Sequence, residues 1–565
     1  MTARVLLFAA IAFLSGGAAR GETVLWEIAP QVTGSAVTGL SFALTFPGDA
    51  DGETELSLPD EWGGESRLYL GLDSIEASGG VLAPGNSPAQ LRLTHAPGAD
   101  ITLTWQIPAA GDGPPDGKQG GGNDYRPVFA PDFFYVIGHT AFIRPDHIPG
   151  STPAGANLTA FAEAGIEVVS DLEHGGLTLD RLSESTLFGG NIRIIDAGNG
   201  SRFALTGTLE HISDEDWRAA FQQIAEDQRA YWQTGHDAFL VTLLTIDKGP
   251  DAYSIGGTGL GDAFSLFVSP NMRLDTALPI VAHEMMHSWV PARIGRMPQE
   301  NEATDYWLSE GFTNWTTWRN LVRGGLWTSQ DFAAAFNKSL NAYDTSSVKN
   351  ASAAEAAAGF WARRDYQDLP YDKGMLIAAW LNHEVSLRTN GAMDLDDILL
   401  GMQSAAAAAP DARATDLLFA ALQTGAGWDA RADIEALTLA GGTVPLPADL
   451  YAPCGTVSPV DTLIWKRGFD FEATSAAGWI IQGVRPGTRA HEAGLRNGMM
   501  ITSWSETSQD FQAPTEKTAE VNLAGETVSL TWLPATRETT PVRRLQLADD
   551  LPAEACRIRL AGLSF

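Results

Sequence analysis

From Glu22 to about Gly207, apolar and polar residues alternate in short runs. VLWEI, LSFALTF, RLYLGL, QLRLTHA, ITLTWQI and NIRIIDA place apolar side chains at about every second position, with Gly, Pro and Asp between the runs. A period of two marks half-buried strands, so this stretch predicts an antiparallel β-domain. The pattern changes after Leu209. Ser213, followed by Asp214, Glu215 and Asp216, is a helix start: the hydroxyl can accept from a free backbone N–H, and the acids suit the positive helix end. WRAAFQQIAEDQRAYW continues with helical spacing. AFLVTLLTI (238–246) and AFSLFVS (263–269) predict buried strands, with GGTGLG (256–261) as a turn or loop between them. From Asp275 to about Gln423 the signals are mainly helical. The alanine run at 405–409 needs no explanation beyond helix propensity. The last hundred residues return to short strands.

The length, 565 residues, predicts about three or four domains. Thirty-seven basic against 69 acidic residues give a net charge of −32, and there is no Lys/Arg-rich run. A nucleic-acid partner is therefore excluded, because phosphates would be repelled. With 44 % hydrophobic residues the chain can bury large cores, unlike a disordered acidic tail. Arg4, the apolar run 5–14 and the mostly small residues of 15–21 read as a secretory signal over residues 1–21. That run is shorter than the roughly 20 residues a membrane span needs, and no later stretch reaches it. The mature protein is expected outside the cytoplasm, periplasmic or secreted, with no integral membrane segment. The glycine-rich stretch at 111–124 lacks the strand–turn–helix setting of a phosphate loop and reads as a loop. Cys454 and Cys556 can close one disulfide loop of about 100 residues in an oxidising compartment, or stay two separate thiols.

The chemistry is concentrated in LDTALPIVAHEMMHSWV. His283 and His287 are four residues apart, so on a helix they share a face and can bind one metal ion. Glu284 stands beside them, in reach of a metal-activated water. Asp275 offers an N-cap, and Pro279 fits only near the helix start. Alone, the pattern also suits two histidines hydrogen-bonded on a packed face. A catalytic zinc site wants a third protein ligand. WLSEGFTNW (307–315) supplies Glu310, with 22 residues between it and His287. Asn314, four residues on, shares its face and can accept the outer N–H of a ligating histidine. Tyr371, in LPYDKGMLIAAWL, lies at the start of an apolar helix, where its phenol can donate to an oxyanion.

HEMMHSW, WLSEGF and PYDKG, in that order, resemble the gluzincin metallopeptidases. WLSEGF is similar to the segment carrying the glutamate ligand of aminopeptidase N-like enzymes, and PYDKG to the one carrying their transition-state tyrosine. The glycyl aminopeptidase family, with a β-domain before the catalytic part and a PDZ-like domain after it, is the nearest resemblance. It implies one zinc ion held by His283, His287 and Glu310, with Glu284 as general base and Tyr371 as oxyanion donor. One departure stands out. Relatives carry a glutamate that anchors the substrate amine in a GGLEH-like stretch, where this chain has GGTGLGDAF. Asp262 is the nearest acid. Gly256, Gly257 and Gly259 can still let a peptide backbone approach closely.

Residues 477–505, AGWIIQGVRPGTRAHEAGLRNGMMITSWS, resemble a PDZ core, with KRGF (466–469) where a carboxylate-binding loop would lie. The expectation is a multidomain α+β protein. Its parts are a signal at 1–21, an antiparallel β-domain at 22–207, a thermolysin-like zinc domain with a helical part at 208–450, and a PDZ-like domain at 451–565. The expected activity is removal of small residues from the amino terminus of peptides. An endopeptidase with the same mechanism, and a PDZ-type peptide-binding scaffold without catalysis, are the alternatives.

Overall fold

The computed structural model describes residues 24–562 except 64, 110–125, 174–175, 234–237, 247–254, 261, 299, 506–513, 524 and 551. The expected signal at 1–21, the glycine-rich loop at 111–124 and Gly261 lie outside the described residues. Among those described, no helix is long and apolar enough to cross a membrane.

The alternating runs form strands. Val24–Thr33 and Ala36–Pro47 make a hairpin inside a five-stranded sheet that also holds Asp100–Pro108, Asp73–Ser78 and Ala154–Asn157. Every other side chain of Val24–Ile28 is buried, as a half-covered sheet requires. Phe42 stacks on Trp105 at 5.3 Å, and Trp26 and Phe42 each meet the edge of Phe142 at 5.8 Å, which fixes this core. RLYLGL departs from expectation. It forms a short 3-10 helix, Leu68–Gly71, entered through Arg67 at φ 58°. Leu68 is buried but Leu70 is exposed, so the alternation does not report a sheet face.

NIRIIDA also behaves differently. Its strand, Arg193–Asp196, pairs with Arg202–Leu205, which lies parallel to Leu240–Thr245. The central sheet therefore runs back across the expected boundary at 207. Its order is Arg193–Asp196, Arg202–Leu205, Leu240–Thr245, Ala263–Val268, Ile255–Leu260, with the last strand antiparallel at the edge. The segment read as a turn is this edge strand. Its glycines hide the strand signal, and the antiparallel register Gly257↔Leu266 and Gly259↔Phe264 supplies it.

Helix Asp214–Trp232 covers one face of the sheet. It begins with the expected cap: Ser213 accepts from the Asp216 N–H, and Asp216 accepts from the Ser213 N–H. Helix Leu274–Met286 follows the strand Ala263–Val268. Its N-cap position is Arg273 rather than Asp275, which sits in the first turn. Pro279 lies well inside it. Three long helices follow, Tyr306–Arg323, Ser329–Thr345 and Arg364–Arg388.

The C-terminal region combines the antiparallel pair Gly455–Trp465 and Ala535–Leu547 with a three-stranded sheet, Met500–Trp504, Lys517–Leu523 and Glu526–Trp532. It is tied to the helices. Arg543 pairs with Asp344 at 2.7 Å, and Arg319 and Arg323 donate to the Leu560 and Ala561 carbonyls of the last helix, Ala553–Ala561. Cys454 and Cys556 are joined by a disulfide across 102 residues. A loop of that length should contribute up to about 4–5 kcal/mol by restricting the unfolded chain. Chemical denaturation with and without reductant should show a lower midpoint for the reduced protein and an unfolding free energy smaller by up to that amount.

Candidate active site

The helix Leu274–Met286 places His283 in its last turn, and His287 follows at the C-cap position with helical backbone. The spacing of four thus keeps both imidazoles on one side. Helix Tyr306–Arg323 lies against it and brings in Glu310. The Glu310 Oε2 atom is 3.2 Å from His283 Nε2 and 3.4 Å from His287 Nε2. One ligand atom from each of the three residues falls within 4.8 Å of the others.

The outer nitrogens fix the tautomers. His287 Nδ1–H donates to the Val290 carbonyl at 2.9 Å, an oxygen that can only accept and that is also held by the Thr313 hydroxyl at 3.1 Å. His283 Nδ1–H donates to Asn314 Oδ1 at 2.9 Å. With both Nδ1 atoms donating outward, the two Nε2 lone pairs and the Glu310 carboxylate face one another. Three acceptors pointed at one spot repel unless a cation or a proton lies between them. Electrostatics says the same. Burial pushes the His287 imidazole down, yet the Glu310 and Glu284 carboxylates and the Val290 carbonyl outweigh it and raise it to about 9. Burial would raise Glu310, but His287 and His283 hold it well below the usual carboxylate range. The donor set fits a divalent cation of zinc's kind, which takes nitrogen and carboxylate ligands.

Tyr371 lies two turns inside helix Arg364–Arg388 rather than at its start, one residue after Pro370. Its ring centroid is 6.0 Å from that of His283. Burial, then the Glu310 and Glu284 carboxylates, hold its phenol well above the ordinary value, so it remains a proton donor.

Glu284 is half-buried and faces the edge strand. A Cβ placed on Gly259 would lie 3.1 Å from Glu284 Oε2 and 3.4 Å from His287 Cδ2. Gly256, Gly257 and Gly259 all belong to that strand, and Gly259 brings bare backbone up to the carboxylate. Asp262 does not open into this space as a free acid. It is ion-paired with Arg181 and lies 3.6 Å from Arg293. Sequence spacing could not reveal Arg181, which is 81 residues away.

In the C-terminal region, the helix expected in PGTRAHEAG is Arg489–Glu492, capped by Thr488, and the strand after it is Met500–Trp504. The strand expected before it appears only as isolated bridges, Ile480↔Met500 and Asp470↔Gln482. KRGF leads into a short helix, Phe471–Ala476, and the Arg467 guanidinium lies over Phe471.

Residues 276–377 match the sequence model of the M61 glycyl aminopeptidases. This segment holds both histidines, Glu284, Glu310, Asn314 and Tyr371. No curated protein matches the chain. Among solved structures, an aminopeptidase N family protein from Idiomarina loihiensis is similar over 95 % of this chain and all of its own, at 15 % identity and a TM-score of 0.65. That likeness shows the shared fold. An M1 zinc metallopeptidase from Deinococcus radiodurans covers 76 % of this chain and 96 % of its own, at 14 % identity and a TM-score of 0.43. Yeast LTA4 hydrolase with bestatin covers 77 % and 70 %, at 14 % identity and 0.46. The matched segment and the constellation it contains make the chain a zinc metallopeptidase.

Proposed function

We propose that this chain is a zinc aminopeptidase that removes residues from the amino terminus of peptides outside the cytoplasm. The observation that carries the reading is the convergence of His283, His287 and Glu310 beside Glu284 and Tyr371, next to an edge strand whose Gly259 brings bare backbone up to Glu284. His283, His287 and Glu310 would hold the zinc ion, which would supply a Lewis acid for the scissile carbonyl and for water. The peptide backbone adds to the open edge of Ile255–Leu260, as extended ligands do. Glu284 takes a proton from the attacking water and returns it to the departing amine. Tyr371 donates its hydroxyl hydrogen to the oxyanion of the tetrahedral intermediate. Tyr371→Phe should lower kcat about 10²–10³-fold while KM and zinc content stay near wild type, as steady-state kinetics and metal analysis will read.

A second reading, endopeptidase action by the same residues, is favoured by one feature. Asp262 is neutralised by Arg181 and Arg293, and the residue that stands opposite Glu284 on the edge strand is a glycine, which has no carboxylate to hold a substrate amine. Mass spectrometry of peptides with free and acetylated amino termini decides between the two. Chelator-sensitive trimming of free peptides alone is the expected result. Equal cleavage of acetylated peptides would establish the endopeptidase.

The preference for small residues follows the resemblance to glycyl aminopeptidases. The PDZ-like assignment of 451–565 rests on the order helix Arg489–Glu492, strand Met500–Trp504 and on the sequence similarity. A peptide ligand there would recruit substrate. Catalysis is preferred over a pure scaffold because the set of ligands, base and donor is complete.

His283 depends on Asn314 for its orientation. Asn314→Ala should weaken zinc binding about 10–100-fold, measured by chelator competition, because the imidazole loses the acceptor that fixes its tautomer.

A further inference from the structure

Glu310 and Tyr371 come from different helices, Tyr306–Arg323 and Arg364–Arg388, and must meet over the same reacting atoms. The two helices cross at a pair of buried glycines. Gly311 directly follows Glu310, and Gly374 stands three residues after Tyr371. A Cβ placed on Gly311 would lie 2.3 Å from the Gly374 Cα and 2.6 Å from the Met375 N. A Cβ placed on Gly374 would lie 1.9 Å from the Trp307 carbonyl oxygen and 2.9 Å from the Gly311 Cα. All four obstacles are backbone atoms of the opposite helix. A rotamer change cannot relieve them; only separating the helices can. Neither glycine has the positive φ that would explain it by conformation. Each lies inside a helix, where glycine is unfavourable and alanine is the better helix former. Closeness of approach is what both positions require.

We infer that Gly311 and Gly374 are positioning residues: their backbone contact sets the spacing between the helix that carries Glu310 and the helix that carries Tyr371, and so fixes the oxyanion donor against the metal ligands. The inference rests on the roles proposed above for those two residues. A methyl group at either glycine forces the helices apart by about an ångström or more, and shifts of that size at a reacting centre cost on the order of 100-fold in rate.

Gly374→Ala tests this directly. The expected result is a folded protein with one zinc per chain, KM within about threefold of wild type, and kcat lowered about 100-fold. Combining it with Tyr371→Phe gives the readout that a merely structural role would not move. If the glycine acts through the phenol, the double variant falls no more than about threefold below the poorer single variant, because a displaced donor has little left to lose. Gly401→Ala, on a helix with open space around the glycine, should leave activity unchanged and serves as control. Additive losses, loss of zinc from Gly374→Ala, or kcat within threefold of wild type would each overturn the inference. Gly311→Ala reads the same contact from the ligand side, with zinc affinity at least tenfold weaker by chelator competition, and it applies even if wild type cleaves no peptide, an outcome that defeats the proposed function separately. Unchanged affinity there overturns the inference. If Gly374→Ala does not fold, Gly311→Ala decides. If neither folds, the contact serves the fold and not the site.

Discussion

Glu284→Gln should reduce peptide hydrolysis by about 10³–10⁴-fold while leaving one zinc per chain and near-normal peptide binding. The amide keeps the size of the carboxylate and its place opposite Gly259, where a Cβ would come within 3.1 Å of Oε2. It cannot accept a proton from water or pass one to a leaving amine, and general acid–base catalysis of this kind typically supplies 10²–10⁴-fold. The upper part of that range applies because Glu284 serves in both directions, first as base and then as acid. Glu284 is not a metal ligand, so the Nε2 atoms of His283 and His287 and the Glu310 oxygen stay as they are. Three measurements separate the outcomes: turnover, zinc per chain by plasma emission, and peptide affinity by calorimetry. Activity within tenfold of wild type, with zinc retained, would sink the assignment of Glu284 as base.

Much of this site could be read from local periodicity. A spacing of four between His283 and His287, and again between Glu310 and Asn314, is the pitch of a helix, so each pair had to share a face. The capping signature at Ser213 was equally local and leads into the helix it predicts. What the sequence could not disclose depends on contacts between distant segments. Ile255–Leu260 reads as a turn because its glycines lack the β-branched side chains that mark strands, yet pairing with Ala263–Val268 makes it a strand. Asp262 looks like a free acid until Arg181, from the N-terminal β-region, and Arg293 are seen to hold it. Leu68 and Leu70 mimic a strand face, but only one of them is buried. Gly311 and Gly374 stand in the WLSEGF and PYDKG segments but carry no chemistry of their own; only the crossing of their helices shows why a side chain is excluded. The disulfide lies between these cases. Two cysteines in a chain expected outside the cytoplasm suggested it, but the pairing needed the last helix to dock beside residue 454.

The second large effect concerns the metal itself. Glu310→Ala should weaken zinc binding by more than about 100-fold and abolish hydrolysis with it. An outer partner such as Asn314 is worth about 10–100-fold in metal affinity, and a direct ligand that also supplies the site's negative charge should exceed that. Glu310 is the one carboxylate in the ligand set: the two imidazoles hold its pKa well below the usual carboxylate range, so it stays charged and ready to bind a cation. Removing it leaves two neutral donors, which match the requirement of a catalytic zinc for three protein ligands less well. Glu310→Gln keeps the volume and tests whether charge or shape decides. The amide oxygen is a poor ligand, so its affinity should fall nearly as far as that of Glu310→Ala. Zinc content after dialysis against a weak chelator gives the answer, with circular dichroism confirming that helix Tyr306–Arg323 is still formed. Undiminished stoichiometric zinc in a folded Glu310→Ala protein would remove Glu310 from the ligand set, and with it the reason that WLSEGF follows HEMMH at this distance.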